Sequence, residues 1–514
     1  MSALPTSTRR GTTPLIGIRK STTFSTSRVP AHPETVEGPI EDANLTEEEL
    51  IAAKAKNDPL FNVYGPPFVS NGSNIVLNER AIAAKCVKIH TVQFNATKKV
   101  FERYDPKQGL WVLAHDSELA RSIDRLLLEL GQQFNQMKLV RRLTASKLNS
   151  IAKMIRAFKP LPIESCLDGL VHASNGIIDL RGKEAELLKH DTKYPFDTGS
   201  GIHYDPKARC PRFLKELLGP ALERDDIGLA QQYLGSTLLG KNLCHGILVF
   251  VGTAGGGKST LLTVIERVLG EPKVAHLRTG LLGGRFETSA FLGKRLLVGK
   301  DVPGDTLAVA GAKALKSLVG DDLMQAEIKY NPDKQKMRGD FHVVIVSNSN
   351  LRIALDGDHD AWRRRLLVIG FDNPKPTKPI PNFAEALVAE EGSGILNWMI
   401  EGALNYRAQM QKLGHLRLNQ VQLDRIETLL QDSDNVVEFV KRHVKPDQGS
   451  DVTSDELHKE YLEVCVQAAW TPVASQKFLT LLPDVLGAKF QVVRRNDIVR
   501  NGKSVRGYKN IRLA

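Results

Sequence analysis

Cysteine is scarce in this 514-residue chain, and what there is stands far apart. Cys86, Cys166, Cys210, Cys244 and Cys465 form no C-x-x-C pair and no Cys/His group at zinc spacing. That excludes a disulfide-stapled fold and a zinc knuckle, and predicts five free thiols in a reducing compartment. Apolar runs of the roughly 18 residues that a membrane span needs are absent, as is the hydrophobic centre of a signal peptide near Met1. No membrane partner is expected, and a cytoplasmic location follows as an expectation. Acidic residues are missing before Glu34, while Arg9, Arg10, Arg19, Lys20 and Arg28 gather among Ser, Thr and Pro. Such a stretch buries too little apolar surface to order itself, so residues 1–60 are expected to be a disordered basic tail. Its prolines argue against the amphipathic helix of an organellar transit peptide.

What is present is globular in composition, 42% hydrophobic and 25% charged, with room for roughly three domains. The net charge of +12 admits a polyanionic partner without identifying one.

The stretch 246–270 organises the rest. Ile247, Leu248, Val249, Phe250 and Val251 suit a strand buried on both faces, and Leu261, Leu262, Ile265, Val268 and Leu269 recur at helical spacing. Between them Gly252, Thr253, Ala254, Gly255, Gly256, Gly257, Lys258, Ser259 and Thr260 contain G-x-x-x-x-G-K-S in the strand–loop–helix context that the motif requires. Glycines let backbone N–H groups curl around phosphates, Lys258 offsets their charge, and Ser259 offers a hydroxyl to Mg²⁺. ATP and Mg²⁺ are the expected cofactors. Downstream, the apolar run at Arg295 to Val298 ends near Asp301, a carboxylate placed to hold Mg²⁺ through water or to orient an attacking water. The apolar run 341–346 ends in Ser347 and Asn348, and Asn348 is placed to reach a γ-phosphate. Arg363, Arg364 and Arg365 precede another apolar run, and in an oligomer one guanidinium can cross to a neighbour's phosphates.

In this order the motifs resemble those of superfamily 3 helicases, most of all the primase-helicases of phages, plasmids and large DNA viruses. NGIIDLRG at 175–182, CPRFLKELL at 210–218, LGKRLLVGKD at 292–301, LKSLVGDD at 315–322, IVSNSNLRI at 345–353 and WRRRLLVIGF at 362–371 carry the likeness. The resemblance implies an α/β fold: a P-loop AAA+-like ATPase core at 210–375, after an N-terminal α+β region at 61–209. A helical linker at 376–431 and a winged-helix domain at 432–514 would follow. It implies Lys258, Asp301, Asn348 and Arg364 or Arg365 as catalytic residues. Ser259 and Asp301 would attend the metal, and ATP would lie between subunits of a homo-hexamer in a bacterial host or virus-infected cell. Two departures stand out: Asp301 is usually Glu, and Lys300 replaces a small or acidic residue.

The same likeness points to single-stranded and forked duplex DNA as partner, unwound 3′ to 5′ during replication of a mobile element. Contacts are expected from Lys334, Lys336 and Arg338 in a hairpin at 330–338, and from Arg494, Arg495, Arg500, Lys503 and Arg506 in the terminal wing. In that terminal region helices are expected at 436–444, 453–469 and 475–482, the second opened by a Thr453/Glu456 capping box. Strands are expected at 490–495 and 505–513. Upstream of the core no paired-carboxylate primase motif occurs, so a separate primase or origin-binding protein is an expected partner. A DNA-translocating or packaging ATPase that does not unwind, and a nucleotide-switched origin-binding protein, both remain open.

Overall fold

The computed structural model describes residues 46–514, apart from 73, 97, 159–166, 283, 285, 304–306, 308–310, 328–333, 349–350, 354, 356–357, 374–379, 469, 471 and the side chain of 432. Residues 1–45, Cys166 and the tip of the expected hairpin at 330–333 thus lie outside it. The fold is mixed α/β around a five-stranded parallel sheet. No helix among the described residues is long and apolar enough to cross a membrane. The four described cysteines are free.

The sheet is built from β1 (Ile247–Gly252), β2 (Val274–His276), β3 (Leu296–Gly299), β4 (His342–Val346) and β5 (Leu366–Phe371), in the order β2-β3-β4-β1-β5. Every neighbouring pair is parallel. Side chains alternate along the strands, so each strand feeds two cores. Leu248, Phe250, Val344, Val346, Ile369 and Phe371 face α1 (Arg224–Ser236), α2 (Lys258–Leu269) and α5 (Phe383–Leu413). Ile247, Val249, Val343, Ile345 and Val368 face α3 (Ala312–Val319), α4 (His359–Arg365) and α6 (Gln420–Ser433). The strands are apolar runs because neither face meets water.

Residues 376–431, expected as a linker, contribute instead to both layers. α5 is 31 residues long and buries Leu387, Ile395, Met399, Ala403 and Tyr406 in the core it shares with α1 and α2, while α6 buries Ile426, Leu429 and Leu430 on the other side of the sheet. The boundary expected at 209/210 also falls inside one core, since Ala173, Ile178, Leu180 and Tyr204 join the cluster of α1 and α2.

The N-terminal unit has a separate core. Helices Glu79–His90, Asp116–Gln133 and Ala145–Ala157 pack with the antiparallel strands Val92–Asn95, Val100–Asp105 and Leu110–Ala114. Residues 46–60, expected as part of the tail, are folded. Thr46 and Glu49 form a capping box for a helix over Glu47–Ala55, Pro59–Tyr64 is a second helix, and Ile51, Ala55 and Phe61 are buried.

At the C-terminus, α7 (Asn435–His443), β6 (Val444–Thr453), α8 (Ser454–Gln467), α9 (Ser475–Phe490), β7 (Arg495–Arg500) and β8 (Lys503–Leu513) make three helices against an antiparallel sheet in the order β6-β8-β7. Thr453 and Glu456 form the expected capping box. The strand expected at 490–495 is displaced. α9 runs on to Phe490 because Leu482, Leu486 and the half-buried Phe490 pack in the core, and Gln491 in the left-handed region ends it. The following strand therefore begins at Arg495, ahead of the Asn501-Gly502 turn. β6 was not anticipated, because its sequence VKPDQGSDVT reads as a turn.

Candidate nucleotide site

The site lies at the C-terminal edge of the parallel sheet, where the ends of β1, β3 and β4 converge. Gly252 (φ 126°), Gly255 (φ 85°) and Gly257 (φ 93°) hold the loop between β1 and α2 in conformations that side-chain-bearing residues rarely adopt. At Gly252 a Cβ would also stand 2.4 Å from the carbonyl oxygen of Phe371 on neighbouring β5, so only glycine fits. α2 then opens without a side-chain cap, leaving its first N–H groups turned to the loop.

Lys258 is the most telling residue of the loop. Although 3% exposed, its ammonium donates to the carbonyl oxygens of Gly252 and Thr253, each at 2.7 Å, and lies 6.0 Å from the centre of the Phe371 ring. A buried cation on two carbonyls is held where anionic oxygens are its stronger partners. Ser259 and Thr253 are exposed, with Thr260 half-buried beside them. Glycine conformation, uncapped helix and lysine all fit a triphosphate with Mg²⁺ on Ser259.

Asp301 follows β3 and Asn348 follows β4, and the structure brings them together, Asn348 Nδ2 donating to Asp301 Oδ1 at 3.2 Å. Asp301 holds φ 50°, a conformation that Asp tolerates better than most residues but still at a cost. Its neighbours fix it there: Val302 N–H donates to the Val346 carbonyl at 2.8 Å, and the buried Ser347 hydroxyl to the Val302 carbonyl at 2.8 Å. Lys300, one of the two departures, pairs with Glu266 on α2 at 2.8 Å. Its charge is thereby turned to the outer flank of α2. Ser347 and Glu266 were not singled out from the sequence, where each is an ordinary polar residue.

The three arginines differ sharply. Arg363 binds Glu427 at 2.5 Å and Asp360 at 2.8 Å, and its hydrogen bond to Glu427 holds that carboxyl below its ordinary value. Arg365 is half-buried and donates to the Ala361 carbonyl at 2.9 Å, with its Nε buried and without a hydrogen bond. Arg364 is exposed, and its Nε donates to the Asp360 carbonyl at 3.3 Å.

Beside the loop, a cavity of about 310 Å³ is walled by Val251, Leu351, Val368 and Leu429, with Asp424 and Arg425 among its lining. Arg425 is fixed by the buried Asp226 at 2.6 Å, which also accepts from Gln422 at 2.9 Å, tying α6 to α1.

The expected DNA contacts are more scattered. Lys334 pairs with Glu327 at 2.8 Å and Arg338 with Asp321 at 3.0 Å, on a hairpin pairing Leu323–Ala326 with Gln335–Arg338, while Lys336 is exposed. In the terminal sheet Arg495 pairs with Asp497 at 3.1 Å. Arg500 is bound by Asp451 at 2.7 Å and Glu456 at 2.9 Å. Lys509 and Arg495 together hold the Asp497 carboxyl down at about 2, Arg495 contributing most. Arg494, Lys503 and Arg506 are exposed.

Residues 250–365, from the end of β1 through Arg365, match a protein family described as of unknown function, DUF5906. Curated proteins give no match. Among solved structures the chain is similar to the apo C-terminal region of NrS-1. One such structure has 12% identity and a TM-score of 0.45, with 84% of this chain and 98% of that one covered. Another apo form has 13% identity and a TM-score of 0.43, with 82% and 96% covered.

Proposed function

We propose that the chain is an ATP-driven DNA helicase acting in the replication of a phage or similar mobile element. The observation that carries the ATPase part of this reading is the meeting, at one sheet edge, of the glycine loop with buried Lys258 and of Asp301 with Asn348. ATP with Mg²⁺, when bound, supplies the phosphoryl group transferred to water. The N–H groups of residues 252–260 and the Lys258 ammonium would bind and neutralise its phosphates, and Ser259 would offer its hydroxyl to the metal. Asp301, oriented by Asn348, accepts a hydrogen bond from the attacking water and holds it in line. The cavity beginning at Val251 has the size and apolar walls that a purine ring needs.

Arg364 is the trans-acting arginine in this account, because Arg363 is committed to Glu427 and Arg365 is half-buried, whereas Arg364 is exposed. That role supports a ring, with a homo-hexamer as the proposed assembly. The C-terminal unit, with three helices and a β7–β8 hairpin, is read as a winged helix that holds duplex DNA through Arg494, Lys503 and Arg506.

Strand displacement on a forked duplex, with and without ATP, tests the proposal. ATP-dependent release of the strand supports it. ATP turnover without strand release would favour a translocating or packaging motor, and DNA binding without turnover a nucleotide-switched origin binder.

A further inference from the structure

A second basic surface lies in the N-terminal unit. From residue 130 to 163 the chain has no Asp or Glu and carries seven cations: Lys138, Arg141, Arg142, Lys147, Lys153, Arg156 and Lys159. The whole chain has a net charge of only +12. Lys159 lies outside the described residues. Of the other six, Lys147 pairs with Glu79 at 2.9 Å, and Arg156 lies over the rings of Phe94 and Phe101 at 5.1 and 5.2 Å. Lys138, Arg141, Arg142 and Lys153 are exposed and have no ion-pair partner among the described residues. They are displayed on the short helix Met137–Val140, the turn after it and the helix Ala145–Ala157, where Ser146 and Asn149 share the exposed face of Lys153. Both helices are anchored by apolar residues below, Val140, Ile151 and Ile155 in the unit's core, so the cations ride on fixed backbone.

We infer that this face binds the phosphodiester backbone of single-stranded DNA, as a contact separate from the nucleotide site and from the terminal sheet. Unpaired cations on rigid helices keep their counterions until a polyanion displaces them, whereas cations already on carboxylates gain less from a phosphate. Ser146 and Asn149 supply neutral hydrogen-bond donors of the kind that fix a backbone's register. An anionic membrane is the poorer fit. The surface helices that bind one carry Trp, Phe or Leu on the lipid side, and here Phe134 is buried and Phe158 half-buried. The inference does not depend on ATP hydrolysis, so it is tested without nucleotide.

The test uses the full chain carrying Lys138→Ala, Arg141→Ala, Arg142→Ala and Lys153→Ala together, with a labelled oligothymidylate read by fluorescence anisotropy across about 50 to 200 mM salt. The variant is expected to bind at least about tenfold more weakly, with a salt dependence shallower by roughly two to three log units per log unit of salt. ATP turnover in the absence of DNA should be unchanged. Arg141→Lys with Arg142→Lys should keep most of the salt dependence, because the charge is conserved. If the fourfold variant misfolds, the pairs Lys138→Ala/Lys153→Ala and Arg141→Ala/Arg142→Ala should each show about half the effect. Unchanged affinity and salt slope in a folded variant would overturn the inference. So would wild-type protein that binds anionic vesicles through these residues but not the oligonucleotide.

Discussion

The edge of the parallel sheet and the C-terminal antiparallel sheet both hold residues selected from the sequence for their chemistry, and folding treats the two sets differently. At the sheet edge, Lys258, Asp301 and Asn348, up to 90 positions apart, converge because each follows a strand and the strands are neighbours. In the terminal sheet, Arg495 and Arg500 are spent on Asp497, Asp451 and Glu456 of their own unit. A residue tied to a strand end inherits its position from the fold, whereas a basic residue counted by net charge takes whichever carboxylate the fold brings near. In the N-terminal unit no carboxylate is available in the run itself, and four of its cations have no ion-pair partner among the described residues.

The largest effect that would sharpen this contrast comes from Arg364. Arg364→Ala should bind ATP almost normally and hydrolyse it about 10³-fold more slowly, the scale of an arginine finger in other phosphoryl-transfer enzymes. Mixing it with Lys258→Ala should restore part of the activity, since some interfaces then join an intact loop to an intact arginine. Mixtures that stay inactive would put the arginine's action outside the shared-site account.

A smaller effect resides in His342 on β4, fully buried with both ring nitrogens lacking hydrogen-bond partners. Burial, with help from the nearby Arg295 charge, pushes its pKa down from 6.5 to about 3. The unfolded chain therefore takes up this proton first as pH falls below about 6.5. Stability should drop from there towards pH 3, with roughly 2 kcal/mol lost between pH 7 and pH 5 from this group alone. Urea unfolding followed by tryptophan fluorescence should show that loss, and His342→Leu should remove most of it. Equal pH slopes in the two proteins would contradict the buried, uncharged state.

The smallest effect belongs to Arg500. Its guanidinium bridges β7, the end of β6 and the capping box of α8, and it is the main cause holding the Glu456 carboxyl below its ordinary value. Arg500→Ala should lower the melting temperature of the C-terminal unit modestly and leave duplex DNA affinity near that of wild type. Lys503→Ala with Arg506→Ala should do the reverse. The opposite pattern would make Arg500 a DNA contact after all.

The sequence showed the sheet better than its surroundings. Strands buried on both faces are uninterrupted apolar runs, so β1, β4 and β5 were legible to within about two residues, and the loop after β1 is marked by its glycines and Lys258. Illegible were features set by distant partners. The polar-looking β6 is a strand because β8 pairs with it. α5 resembles a linker until the helices it packs on, α1 and α2, are known. Which of three consecutive arginines is uncommitted depends on Glu427, 64 positions from Arg363.

ATP hydrolysis at the loop 252–260 is the central step of the proposed function, and Lys258→Ala measures it most directly. The ammonium sits on the loop carbonyls at 2.7 Å, and removing it takes away the charge that offsets the phosphates while leaving the sheet's apolar core untouched. Steady-state ATP turnover with Mg²⁺ should fall to background in a variant whose circular dichroism and melting curve stay close to wild type. A folded Lys258→Ala protein that turns over ATP at near the wild-type rate would contradict the proposed function.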